Sequence, residues 1–282
     1  MNYGIANSSG HPSQEEIDQI VSYAIKNGIR FFDTAQAYGN SESVIGKALA
    51  KLEHKNSIRV VSKLSPDLQE CSTDIIVESV KSSVQKLNVK SLHGFLVHRA
   101  EALYSESYSL TVQILKDDGL INKSGVSVYT PGEAITALDN PLVEILEIPF
   151  NILDRRWIDE GVLEKAEQKN VQLFFRSIFL QGLIFLNNGE LKKRKMNWAI
   201  PYLEQFNKLV STTCLTAREL SFNILSNIPG DNIIIIGVDN LAQLQKNIMH
   251  IEEVKQDKTF PKKWWSSIPV FPEKLLNPTL WN

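Results

Sequence analysis

Residues 29–39, Ile29-Arg30-Phe31-Phe32-Asp33-Thr34-Ala35-Gln36-Ala37-Tyr38-Gly39, decide the architecture. A short apolar run ends on a carboxylate, and five residues later a tyrosine stands before a glycine. Two later runs have the same form: Ile58-Arg59-Val60-Val61-Ser62-Lys63 ends on a lysine, and Phe95-Leu96-Val97-His98 on a histidine. Successive short strands that each finish on a reactive side chain point to a parallel barrel, where chemistry gathers at the C-terminal strand ends.

The rest of the chain alternates strands and helices as a parallel α/β fold requires. Ser13-Gln14-Glu15-Glu16 is a capping box behind Pro12; it opens a helix whose Ile17, Ile20, Val21 and Ala24 share a face until Asn27-Gly28 stops it. Strands are expected near 29–33, 57–63, 92–98, 123–129, 143–150, 171–178 and 232–238. Helical stretches between them include 73–88, 131–139, 159–169, 201–209, 215–227 and 240–248. The basic stretch Lys192-Lys193-Arg194-Lys195 reads as a solvated loop. No linker or repeat interrupts this order, so residues 1–282 read as one (β/α)8 TIM-barrel domain, of the α/β class.

Composition narrows the function. Thirty basic against 32 acidic residues leave a net charge of −2, which gives no cationic field for nucleic acid. Cys71 and Cys214 show no CxxC spacing, so neither a disulfide framework nor a zinc site is expected, and no metal is assigned. No apolar run approaches the roughly 18 residues of a membrane span, and no signal peptide is evident, so a cytoplasmic protein without membrane partners is expected. None of the 14 glycines forms a GxG pair, which argues against a Rossmann dinucleotide site.

Asp33, Tyr38, Lys63 and His98 suit the protonation of a carbonyl oxygen. A tyrosine hydroxyl, with a reference pKa of about 10, becomes a better acid beside a lysine ammonium, which stabilises the phenolate. Lys63 needs a carboxylate to stay charged in a cleft, and Asp33 is one strand away. His98 is a candidate to hydrogen-bond and orient the substrate oxygen. Singly, each has an ordinary reading: Asp33 as a turn cap, Lys63 as a strand-end charge, His98 as a structural histidine. Four compatible groups on three successive strand ends shift the balance. A metal-dependent hydrolase is the weaker alternative, because His93 and His98 have opposite strand parity and lack accompanying ligands.

These residues in this order resemble the aldo-keto reductases. The match is carried by Phe32-Asp33-Thr34-Ala35, Tyr38-Gly39-Asn40-Ser41-Glu42, Ile45-Gly46, Val61-Ser62-Lys63 and Leu96-Val97-His98. Gly125-Val126-Ser127, Ile148-Pro149-Phe150-Asn151, Arg176-Ser177-Ile178-Phe179-Leu180-Gln181-Gly182 and Ile236-Gly237-Val238 extend it over nearly the whole chain. The resemblance implies a small-molecule carbonyl substrate and a nicotinamide cofactor across the barrel mouth, because no side chain delivers hydride. NADP(H) is the implied form, with NAD(H) left open.

Several positions depart from the family pattern. Ser127 matches the serine at the nicotinamide carboxamide, but the usual asparagine beside it is Val128 and the usual glutamine on the next strand is Glu147, which still accepts from an NH2 group. Arg176 stands where a tyrosine commonly stacks on nicotinamide; a guanidinium also stacks, but would repel the oxidised cofactor and favour the reduced one. Ser177, Phe179 and Gln181 match the diphosphate loop, and Asn247 an adenine-contacting asparagine. Gly237 and Gln243 stand where many relatives place the cations for the 2′-phosphate, with Lys246 or the 192–195 stretch as substitutes.

Seven strands are visible where a closed barrel needs eight, and Asn2-Tyr3-Gly4-Ile5-Ala6-Asn7 resembles the segment just after the family's first strand. The first barrel strand thus reads as missing or truncated, with a native start upstream as the favoured explanation. Trp157, Phe179, Trp264, Trp265 and Trp281 are candidate ligand walls, although packing is the commoner fate of such residues. Asn151 to Arg156 resembles relatives in surface-sugar pathways, which suggests a keto-sugar substrate. The alternative is a catalytically weak nicotinamide-binding regulatory or structural protein on the same barrel.

Overall fold

The computed structural model describes residues 12–52, 57–254 and 260–281. Its sheet has seven strands: β1 (Phe31–Asp33), β2 (Arg59–Lys63), β3 (Leu92–Val97), β4 (Ile121–Ser127), β5 (Ile145–Pro149), β6 (Gln172–Arg176) and β7 (Ile233–Ile234). Each pairs in parallel with the next in chain order, from Phe31 opposite Arg59 to Phe175 opposite Ile234. Helices fill the connections, among them Ser41–Ala50, Thr73–Leu87, Glu106–Asp117, Ala217–Ser226 and Leu241–Glu252. This is a TIM-barrel architecture with seven of its strands among the described residues.

The opening helix, Gln14–Lys26, forms as its sequence dictates. Ser13 accepts from the Glu16 N–H, Glu16 returns the bond to the Ser13 N–H, and Asn27 ends the helix before Gly28 at φ 83°. Its Ala24 packs with Leu244 and Ile248 of the helix Leu241–Glu252, and Ile20, Tyr23, Ile236 and Val238 surround them. That contact continues the helical layer past the sheet edges β1 and β7. The stretch 2–7, on which the expectation of a late start rests, lies outside the described residues.

Strand alternation divides the core into two shells. Val61, Leu96, Ile145 and Phe174 fill the barrel interior, whereas Val60, Phe95, Val97, Leu146, Ile148, Leu173 and Phe175 pack in the larger cluster with the helices. Close strand approach dictates Gly125, where a Cβ would stand 1.9 Å from the Ile145 carbonyl oxygen.

Three elements differ from expectation. The 159–169 stretch forms two helices, Arg156–Asp159 and Val162–Gln168, because Gly161 adopts φ 73° between them. β7 pairs only over Ile233–Ile234, as an edge strand with one neighbour. Lys192 and Lys193 end a short helix, Asn188–Lys193, capped by Asn187, although the whole 192–195 stretch is exposed. The tryptophans are largely packing: Trp157 is fully buried, Trp264 donates to the Ile152 carbonyl (2.8 Å), and Trp265 stacks on Phe150 at 5.5 Å. The tail is thereby anchored on the segment after β5.

Candidate active site

Side chains two apart on a strand share a face. Phe31, Val61, Leu96, Ile145 and Phe174 meet inside the barrel, so Asp33, Lys63, His98, Glu147 and Arg176, each two residues further on, form the next layer. A hydrophobic plug below and a polar layer at the C-terminal ends therefore arise from one alternation.

Lys63 is the centre of that layer, and its side chain is only 1% exposed. Its Nζ lies 2.6 Å from Asp33 Oδ1 and 2.9 Å from Glu147 Oε2. Glu147 Oε1 accepts from Ser127 Oγ at 2.7 Å and faces Arg176 Nε at 3.2 Å. Arg176 also donates to the Val128 carbonyl (3.1 Å) and lies over the Tyr129 ring at 4.7 Å. Two cations and two carboxylates thus meet across four strands.

The sharing is unequal. Burial works against the Glu147 carboxylate, but Lys63, Arg176 and Ser127 together hold its pKa well below the usual range. Asp33 has one cation, and burial followed by the Glu147 charge pushes its carboxyl upward. This is the behaviour of neighbouring carboxylates that compete for one countercharge. Burial also disfavours the Lys63 ammonium, yet Asp33 and Glu147 outweigh it and raise its pKa.

Tyr38 follows β1 and presents its ring to Lys63 Nζ at 5.6 Å, with the His98 ring edge-on at 6.4 Å between centroids. Burial is the largest influence on its hydroxyl and pushes the pKa up; the pull of Lys63 is opposed by Glu147 and Asp33. His98 Nδ1 is 2.7 Å from the Leu64 carbonyl oxygen, and burial lowers its pKa. A carbonyl only accepts, so Nδ1 carries the proton and the neutral ring leaves Nε2 as an acceptor.

The chain after β6 takes an unusual path. Ser177, Leu180 and Gln181 have φ of 57°, 49° and 52°, and Gly182 comes next at 86°, so the backbone turns repeatedly through the left-handed region. The Leu180 and Gly182 N–H groups are taken up within these turns, by the Ser177 and Phe179 carbonyl oxygens. The Arg218 guanidinium lies over Phe179 at 5.1 Å and Phe185 at 4.4 Å, and donates to the buried Asn247 side chain. No carboxylate pairs with Arg218 among the described residues, and burial lowers its pKa.

The sequence profile of the Aldo/keto reductase family matches residues 1–262. The chain belongs to that family. The aldo-keto reductase YhdN of Bacillus subtilis is 23% identical over 93% of this chain and 88% of its own length. Methylglyoxal reductase DkgB of Salmonella typhimurium is 28% identical over 49% of this chain and 54% of its own. Among solved structures, the holo form of aldo-keto reductase AKR11C1 from Bacillus halodurans superposes with a TM-score of 0.75 at 18% identity, covering 92% of this chain and 89% of that one. A putative 2,5-diketo-D-gluconic acid reductase B superposes with a TM-score of 0.67 at 20% identity, covering 93% and 88%.

For this aldo-keto reductase, the structure brings the expected residues together and changes what several of them do. Asp33 does not hold Lys63 alone, because Glu147 shares it. Lys63 does not lower the Tyr38 pKa overall, since burial and two carboxylates outweigh it. Neutral His98 cannot donate to a substrate oxygen, because its one N–H is spent on Leu64. Arg176 lies against Tyr129 with its charge offset by Glu147, so repulsion of an oxidised cofactor is muted.

Near the start of the helix Leu241–Glu252, Gln243 is tied to Asp239 in both directions, whereas a Cβ on Gly237 would meet open space. Arg218 is not evident from sequence; its one signal is a basic residue just inside the Thr216-capped helix. It brings a cation to Asn247, whereas Gly237 and Gln243 bring none. Arg218, with no carboxylate paired to it among the described residues, fits the anionic part of a nicotinamide dinucleotide, whereas Ser127 and Glu147 are already bonded to each other.

Proposed function

We propose that the protein reduces an aldehyde or ketone to an alcohol with NADP(H), or NAD(H), and that Tyr38 is the general acid. The observation that carries this reading is the Tyr38 ring held beside the Lys63 ammonium and the His98 ring at one barrel mouth. Ser127, Glu147 and Arg176 would hold the carboxamide end of the cofactor, Ser177, Phe179 and Gln181 the diphosphate, and Gly237, Gln243, Asn247 and Arg218 the adenosine. The bound cofactor supplies hydride to the carbonyl carbon.

The chain's own residues manage the proton. Tyr38, with its raised pKa, stays loaded at neutral pH and gives its proton to the oxygen as negative charge develops there. The phenolate left behind faces Lys63, which Asp33 and Glu147 keep charged and fixed. His98 Nε2 accepts a hydrogen bond from the Tyr38 hydroxyl or from the product alcohol. The substrate is a small carbonyl compound, with a keto-sugar as the favoured class; the names of the relatives above, a methylglyoxal reductase and a diketogluconate reductase, suit a carbonyl carried among other oxygens. One cytoplasmic barrel domain is part of this reading.

A second reading is a nicotinamide-binding regulatory protein with weak turnover. Ser127 favours it, because its hydroxyl is already spent on Glu147. Cofactor titration followed by single-turnover oxidation with aldehydes and keto-sugars separates the two. Turnover supports reduction, binding without turnover supports regulation, and no cofactor binding refutes both.

A further inference from the structure

Away from the barrel mouth, the helices Ala217–Ser226 and Leu241–Glu252 bring together Glu219, His250 and Glu253. His250 is buried except for 10% of its side chain, and its Nδ1 has no hydrogen-bond partner. Glu219 Oε1 stands 3.4 Å from that nitrogen and Glu253 Oε2 3.7 Å, so two carboxylates flank an imidazole nitrogen without closing onto it. The other oxygen of Glu219 is fixed by the Thr216 N–H at 2.7 Å in the helix cap. That bond leaves the free oxygen of Glu219 aimed at the imidazole nitrogen.

We propose that Glu219, His250 and Glu253 form a Zn2+ site. With Zn–N and Zn–O bonds of about 2.0–2.2 Å, neighbouring ligands of a tetrahedral ion lie roughly 3.4 Å apart, which is the spacing seen around Nδ1. The three ligand atoms all lie within 4.8 Å of one another, and Glu253, 63% exposed, is free to close the set by rotation. Two carboxylates and a neutral imidazole neutralise a dication and leave the fourth position to water. An ion here ties the capped first turn of one helix to the last turn of the other. Arg218 adjoins Glu219, and Asn247 lies three residues before His250, so the same two helices also carry the Arg218–Asn247 contact.

The test is calorimetric titration of the chelator-treated full chain with Zn2+ alone, beside His250→Gln and Glu253→Gln. One Zn2+ per chain is expected, weakened at least 100-fold by His250→Gln and about tenfold by Glu253→Gln. Co2+ substitution should give the intense visible bands of a tetrahedral ion. Glu253→Gln alters an exposed side chain, so it reports even if His250→Gln fails to fold. Absence of binding in the wild type overturns the site and leaves an imidazole between two carboxylates. Binding unaltered in Glu253→Gln and in folded His250→Gln also overturns it, because the ion is then held elsewhere.

Discussion

Glu147→Gln changes one buried atom type and should give a stability effect that depends on pH. In the wild type, Asp33 is pushed up to about 7, first by burial and then by the Glu147 charge. Between the unfolded carboxylate pKa of about 4 and that value, the folded state keeps a proton that the unfolded state has released, so stability falls as pH rises. From pH 5 to pH 8 a shift of this size is worth on the order of 2–3 kcal/mol.

Replacing Glu147 removes its share of this rise and leaves the larger share that comes from burial, so Asp33 ionises more readily beside Lys63. The variant keeps one amide oxygen as an acceptor and loses the other together with the charge, so Lys63 or Arg176 gives up a charge-assisted hydrogen bond at a cost of about 2–3 kcal/mol, but it escapes part of the penalty that grows with pH. Urea unfolding of both proteins at pH 5 and pH 8 should show the variant weaker at pH 5 and the gap narrowing at pH 8 by Glu147's part of the shift, on the order of 1 kcal/mol. A gap of constant size would refute the competition between the two carboxylates. The Glu147 pKa lies far below this window, so its own titration does not confuse the comparison.

Two other substitutions test neighbouring parts of the structure. Arg218→Met keeps the packing on Phe179 and Phe185 but removes the charge; NADPH affinity, read by tryptophan fluorescence quenching, should fall about tenfold, the equivalent of one charge-assisted bond. Unchanged affinity would place the adenosine elsewhere. Gly125→Ala drives a Cβ into the Ile145 carbonyl and should cost about 3 kcal/mol by denaturant unfolding, the upper end for overpacking. A neutral effect would mean that β4 and β5 do not approach closely at Gly125.

Much of the barrel is legible because its signals are local. Each strand end at Asp33, Lys63 and His98 closes a run with the parity of a buried strand, and Ser13 with Glu16 starts the first helix as its spacing requires. The departures come from relations across the sheet. Glu147 is readable as an inward-facing residue of β5, but its bond to Lys63, 84 positions earlier, depends on barrel closure. The direction of the Tyr38 shift depends on burial weighed against four charges, which no sequence spacing expresses. The hydrogen on His98 is fixed by a backbone carbonyl 34 residues away. Arg218 and Asn247 meet only because two helices late in the chain lie side by side.

The most direct measurement is single-turnover NADPH oxidation by Tyr38→Phe, with cofactor affinity measured in parallel. The phenol hydroxyl is the only group the substitution removes, so the rate should fall roughly 10²–10⁴-fold while cofactor affinity stays within about twofold of wild type. A near-normal rate in Tyr38→Phe would show that the proton comes from another group and would contradict the role given to the Tyr38, Lys63 and His98 cluster.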